Sequence, residues 1–192
     1  MIVLVLGLVL FFAIHSVAIV SPSWRSNMIG KIGAGPWKGI YSLISIVGLA
    51  LIVWGYSLAR TEPVVVYVPP FWLRHLALLL LIPVFILLIA GNLPGRIKAA
   101  VKHPMLIAIK LWAFAHLLAN GMLADVLLFG LFLVWAVLSR ISIKWREQPS
   151  PPTAGPGSFR NDIIAIVGGI AFYVVFALWL HTWLIGISPI TR

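Results

Sequence analysis

Cysteine is absent from the 192 residues. That excludes disulfides, thiolate-bound zinc, iron–sulfur clusters and haem attached covalently through a Cys-x-x-Cys-His motif. Acidic residues are almost as scarce, the four being Glu62, Asp125, Glu147 and Asp162. None lies deep within an apolar run, so ion transport through an intramembrane carboxylate and paired-acid hydrolysis find little support. Asp125 is the weak candidate for transport, with capping of a turn as its competing role. Charged residues of both signs make up 9% of the chain. A soluble domain carries roughly a quarter, so ordinary solubility is excluded as well.

Apolar residues are what the chain has instead: 62% of it, with a mean hydropathy of +1.10. Six apolar runs approach the length of a membrane-crossing helix. They extend over about Ile2–Val20, Ile40–Leu58, Leu76–Ala90, Met105–Leu118, Leu123–Leu138 and Ile163–Leu184. The implied fold is all-α, a polytopic transmembrane helix bundle of about six spans in a single domain, 1–192. Spans four and five are separated by Ala119-Asn120-Gly121-Met122, which suits a tight turn between antiparallel helices, although one long broken helix fits too. The first run lacks the basic start and small-residue cleavage site of a signal peptide, so it is expected to be retained.

Lysines and arginines orient this bundle. The first, third and fifth loops hold ten of the fourteen: Arg25, Lys31, Lys38, Arg96, Lys98, Lys102, Arg140, Lys144, Arg146 and Arg160. The other side holds Arg60, Arg74 and Arg192, and Lys110 falls within a span. By the positive-inside rule the odd loops lie in the cytoplasm and the N- and C-termini on the outer side of an inner (plasma) membrane crossed several times. The basic residues behind the +10 net charge lie almost wholly in the loops, which points to membrane lipid as partner and not to nucleic acid. No residue pattern names a protein partner. Thr61–Trp72, rich in proline and aromatics, reads either as a headgroup-level segment or as a stiff linker. Glu147–Ser158 reads as a flexible Pro/Gly linker, and Asn161-Asp162 as the N-cap of span six.

Five histidines are present. His75, His103 and His181 fall near span ends and read as interfacial, with His103-Pro104 also a helix start. His15 and His116 sit deep in apolar runs. With His15 about five residues from the inner end of its span, and Lys110 taken to mark the inner surface of the fourth, both imidazoles come to a similar depth. Two readings follow. The pair ligates the iron of a haem b clamped between spans one and four, with Trp112 and Asn120 beside the second ligand. Alternatively, Trp112, His116 and Asn120, which share one helical stripe, form a metal-free hydrogen-bond network. Zinc and di-iron sites would want an acid at i+3 or i+4, and neither histidine has one.

Several segments carry a resemblance. They are Ala13-Ile14-His15-Ser16, Tyr41-Ser42, and Pro69 to His75 in the form Pro-Pro-Phe-Trp-Leu-Arg-His. The most specific is Lys102-His103-Pro104-Met105 followed by Leu111-Trp112-Ala113-Phe114-Ala115-His116-Leu117-Leu118-Ala119-Asn120-Gly121. Together they resemble the NnrU family of bacterial membrane proteins over essentially the whole chain, which implies an association with denitrification and nitric oxide metabolism. The same signatures are similar to those of 15-cis-zeta-carotene isomerase. That likeness implies haem b, carried by motif onto His15 and His116, and isomerisation of a hydrophobic polyene. That enzyme's redox-responsive cysteine is replaced here by Ala113, and the arginine usual before His-Pro by Lys102. A weaker likeness of Lys-His-Pro to membrane methyltransferases lacks their tyrosine, glycine and paired glutamates. The residues themselves assign no catalytic group. The possible outcomes are an enzyme, a haem-based sensor or accessory factor, and a cofactor-free membrane protein.

Overall fold

A computed structural model describes residues 1–146 and 157–190. Helix α1 (Ile2–Val20) contains no charged residue and gives way at Ser21 to α2 (Pro22–Ile32), with proline in the first turn, where its missing N–H costs nothing. Gly33, at φ +89°, then turns the chain into α3 (Ala34–Ala59). The remaining elements are α4 (Trp72–Asn92), the short α5 (Arg96–Val101), α6 (Pro104–Ala119), α7 (Leu123–Arg146) and α8 (Phe159–Val175). A π turn, Phe176–Leu180, leads from α8 into α9 (His181–Ile185). The Glu147–Ser158 linker expected from composition lies outside the described residues except for Gly157 and Ser158.

Among the described residues five helical stretches are long and apolar enough to cross a membrane: α1, α3, α4, α7 and the continuous run from α8 through α9. The protein is a multi-pass, all-α membrane protein. The fourth expected span is the exception in length. At 16 residues, α6 is about 24 Å long, short of a hydrocarbon core of roughly 30 Å. It packs against both α4 and α7. The break at Asn120 is a turn between two helices. Trp112 packs on Phe132 and His116 on Phe129, with ring centroids 5.4 and 4.5 Å apart, so α6 and α7 run antiparallel.

Small residues set the closest helix contacts. A Cβ on Gly7 would lie 2.6 Å from the Ile52 backbone nitrogen, and one on Gly48 3.0 Å from that of Phe11. Gly55 meets the Leu4 backbone in the same way. This is how helices associate where lipid offers no hydrophobic drive: backbones approach and gain dispersion contact. Leu4 and Leu8 are fully buried in that seam, beside Ile52, Leu128 and Phe129. A second core, Val84, Leu87 and Ala108, joins α4 to α6. Large apolar residues such as Leu43, Ile46, Trp54, Leu79 and Val167 stay exposed on the outside, as the lipid-facing side of a bundle requires.

The two ends of the bundle differ. One, here the basic end, carries α2, α5 and the start of α8. There Asp162 does not cap its own helix, as its place before Ile163 suggests. Ser158 is the N-cap of α8, and the buried Asp162 carboxylate accepts the backbone N–H groups of Arg96 and Ile97 at 3.1 and 3.0 Å. It therefore satisfies the first turn of α5 from a distant part of the chain. The other, far end gathers the α3–α4 segment, the α6–α7 turn and the end of α9.

Candidate functional site: an intramembrane cavity

A cavity of about 630 Å³ opens at the far end between α4, α6 and the α8–α9 run. Its walls are apolar: Leu78, Leu81, Val84 and Phe85 from α4, Ala108 and Ala115 from α6, Phe176 and Ala177 from the π turn. Trp112, His116 and Asn120 bring the polar stripe of α6 to it, and Tyr56, Arg60, Tyr67, Arg74, Asp125, Tyr173 and His181 are among the other polar side chains that line it. The size and the ratio of apolar wall to few polar groups are those of a small-molecule site.

Each polar group is held by its neighbours. His116 Nδ1 is 2.8 Å from the Trp112 carbonyl oxygen one turn back. Carrying the proton there leaves Nε2 as the nitrogen with a lone pair, the arrangement that orients a ligating histidine. The ring stacks on Phe129, centroids 4.5 Å apart. Asn120 Nδ2 donates to the His116 carbonyl oxygen at 2.9 Å, closing the end of α6. The hydrogen bonds expected along this stripe are thus present, and they run through backbone carbonyls, leaving His116 Nε2 out of them. Asp125, 2% exposed, accepts the Tyr56 hydroxyl at 2.6 Å and the Met122 N–H at 3.0 Å. It caps the start of α7, as its position after the turn suggests, and it also ties α7 to α3.

The segment between α3 and α4 closes the far end. Val66 and Tyr67 N–H groups donate to the Gly121 carbonyl at 2.8 and 3.1 Å, and Leu123 N–H to that of Val64 at 2.7 Å. The Tyr67 hydroxyl donates to the carbonyls of Leu117 and Asn120, which α6 leaves unpaired at its end. Gly121 is required there because a Cβ would strike the Tyr67 carbonyl. Around this anchor Val64, Val66, Val68, Phe71 and Trp72 remain exposed.

The structure brings Trp112, His116 and Asn120 to one cavity and places His15 in another. His15 Nδ1 lies 2.8 Å from the Phe11 carbonyl oxygen, and its ring stacks on Phe11 at 3.9 Å. It lines a separate cavity of about 310 Å³ at the basic end. Between the two imidazoles stand Phe11, Phe132 and Trp112, each packed on the next with centroids 5.5 and 5.4 Å apart. The equal-depth reading is corrected by where α6 begins. Pro104 starts the helix, so Lys110 is six residues inside it and does not mark its inner end. His15 is about 8 Å from the basic end of α1, whereas His116 is about 18 Å from the basic end of α6. A single iron held by this pair does not fit the arrangement. Among the described residues no group of three or more metal-ligating side chains is found.

His181 is the residue that sequence reasoning passed over. It shares the cavity with His116 and sits beside Phe176, centroids 5.9 Å apart, with Nδ1 2.7 Å from the Ile187 carbonyl oxygen. The signal lay in counting from the far end: His116 comes three residues before Ala119, and His181 four before Ile185. A π turn, Phe176–Leu180, comes just before it, a feature frequent at functional sites in helices. His75 stays exposed beside Phe71 at the start of α4, and His103 is the N-cap residue of α6, as expected.

A family model described as NnrU protein matches residues 3–189. The chain belongs to the NnrU family. No curated protein and no solved structure matches it. In this NnrU protein the most specific segment, Lys102 to Gly121, builds α6 and the turn that follows, one whole wall of the larger cavity. Tyr67, which anchors the α3–α4 segment, and Arg74 of the Pro-Pro-Phe-Trp-Leu-Arg-His stretch line that cavity from the other side. The Ala-His-Ser segment of α1 contributes to the smaller one.

Proposed function

We propose that this NnrU protein holds a lipid-soluble ligand with an acidic head in the 630 Å³ cavity, His116 presenting its Nε2 to the bound molecule. The observation that carries the reading is the meeting of an imidazole, its other nitrogen already satisfied, with apolar walls and two arginines in one cavity of ligand size. Arg60 and Arg74 supply positive charge for carboxylates, and the walls take an apolar body.

Haem b is the ligand this reading puts first. It is a flat apolar ring with two carboxylates, and non-covalent binding needs no cysteine. His116 would hold the iron, with His181 as the second imidazole on the cavity and His15 outside it. The bound group would supply electron transfer or capture of a diatomic gas. That matches the association with denitrification and nitric oxide metabolism implied by the family resemblance. The expected result is a Soret band in protein purified after expression with ample haem or loaded with haemin, lost in His116→Ala and kept in His15→Ala. An unchanged spectrum in His116→Ala overturns the reading. The polyene isomerase alternative would use the same apolar walls. Extraction of a polyene, in place of haem, from the purified protein would favour it.

A further inference from the structure

The 310 Å³ cavity at the basic end has a different chemistry. Arg25 of α2, Lys38 and Tyr41 of α3 and His15 of α1 line it together with the apolar faces of Val17 and Trp37. Ala18 and His15 lie two and five residues before the end of α1, so the cavity spans about 3–8 Å along α1 from its basic end. The backbone that carries the two exposed cations is anchored by packing. Trp24 of α2 packs edge-on against the buried Trp37, centroids 5.9 Å apart, and the Gly33 bend fixes the path from α2 into α3. Arg25 follows Trp24 directly, and Lys38 follows Trp37.

Among the described residues no acidic side chain lines the cavity. Asp125 is bound to Tyr56 and Met122, and Asp162 to the start of α5. Among the described residues neither Arg25 nor Lys38 enters an ion pair. Two cations on two walls of one concavity, with a phenol and an imidazole between them, form a socket for a phosphate, and basic pockets between helices at a membrane surface take anionic headgroups.

We infer that this cavity binds the phosphate headgroup of an anionic phospholipid from the leaflet at the basic end. Arg25 and Lys38 supply the charge, Tyr41 and His15 donate or accept hydrogen bonds at the head, and Val17 and Trp37 cover the first carbons below it. This site is separate from the larger cavity and stands whether or not that cavity holds haem.

The test uses the full chain in detergent micelles with phosphatidylglycerol, phosphatidylcholine or inorganic phosphate added. Bound lipid is counted by native mass spectrometry, and the unfolding temperature is followed in parallel. Phosphatidylglycerol is expected to be retained and to raise the unfolding temperature, phosphatidylcholine to do so far less, and inorganic phosphate not to match it. Arg25→Gln with Lys38→Gln should weaken phosphatidylglycerol binding about twentyfold, and Lys38→Gln alone about fivefold. The charge-preserving Arg25→Lys with Lys38→Arg should restore most of it. Equal retention of both lipids, or wild-type binding by the glutamine variants, overturns the inference. Equal stabilisation by inorganic phosphate overturns the lipid as occupant.

Discussion

Asp125 shows what one polar residue can do inside an apolar protein. Its two oxygens serve a helix start and a tyrosine on another helix, so its removal strands both partners. Asp125→Ala should destabilise the protein by about 1–3 kcal/mol, because the Met122 N–H and Tyr56 hydroxyl are left unpaired in a low-dielectric setting. Tyr56→Phe, which removes one donor and leaves the cap intact, should cost less. Thermal unfolding in detergent checks the order, and equal losses would show that the tyrosine contact dominates. The capping half of this role was legible, since an aspartate shortly after Asn-Gly invites it. The tyrosine half was not, because Tyr56 is 69 residues away and nothing local marks it. The same limit applies to Asp162, whose partners on α5 are 65 and 66 residues away.

At the scale of elements the α1–α3 seam and the α6–α7 hairpin organise the molecule. Gly55→Leu should force α1 away from α3 and cost about 1–3 kcal/mol or prevent folding, as overpacking does. Gly130→Ala on α7, where a Cβ would meet nothing within 4 Å, should be neutral or stabilising by up to about 1 kcal/mol. Unfolding midpoints of the two variants give the comparison, and a tolerated leucine at position 55 would contradict the close packing. Apolar runs located the long helices well. They understated α3 and α7, which begin or end in polar residues, because hydropathy marks the lipid-facing stretch while a helix continues as long as its backbone bonds do. The true start of α6 was also legible, in His103-Pro104. Placing Lys110 at the surface instead was what brought His15 and His116 to a false common level.

For the whole molecule, the charge bias makes a claim about orientation. With no native cysteine, single cysteines at Ser26 on α2 and at Glu62 before α4 give clean labels. A membrane-impermeant maleimide should react with Glu62→Cys in intact cells, and with Ser26→Cys only after permeabilisation. The opposite pattern would invert the bundle and move the phosphate socket to the outer leaflet. The larger cavity likewise belongs to the whole chain, since α3, α4, α6, α7 and α9 each give it a side chain. If Arg60 and Arg74 meet the acidic head of its ligand, Arg60→Ala should weaken haemin binding several-fold in a titration followed at the Soret band and leave the band's position unchanged.

Composition and pattern by themselves determined that this chain is helical, crosses a membrane several times, has no thiol chemistry and belongs among NnrU proteins. Those properties follow from local sums: length of apolar runs, distribution of charge, and contiguous motifs. Which histidines share a cavity was decided only by the tertiary structure. A helix's depth and rotation depend on what it packs against, so the end from which a histidine is counted decides which side of the bilayer its imidazole lies nearer. Packing put His116 with His181 and Arg60 at one end, and His15 with Arg25 and Lys38 at the other.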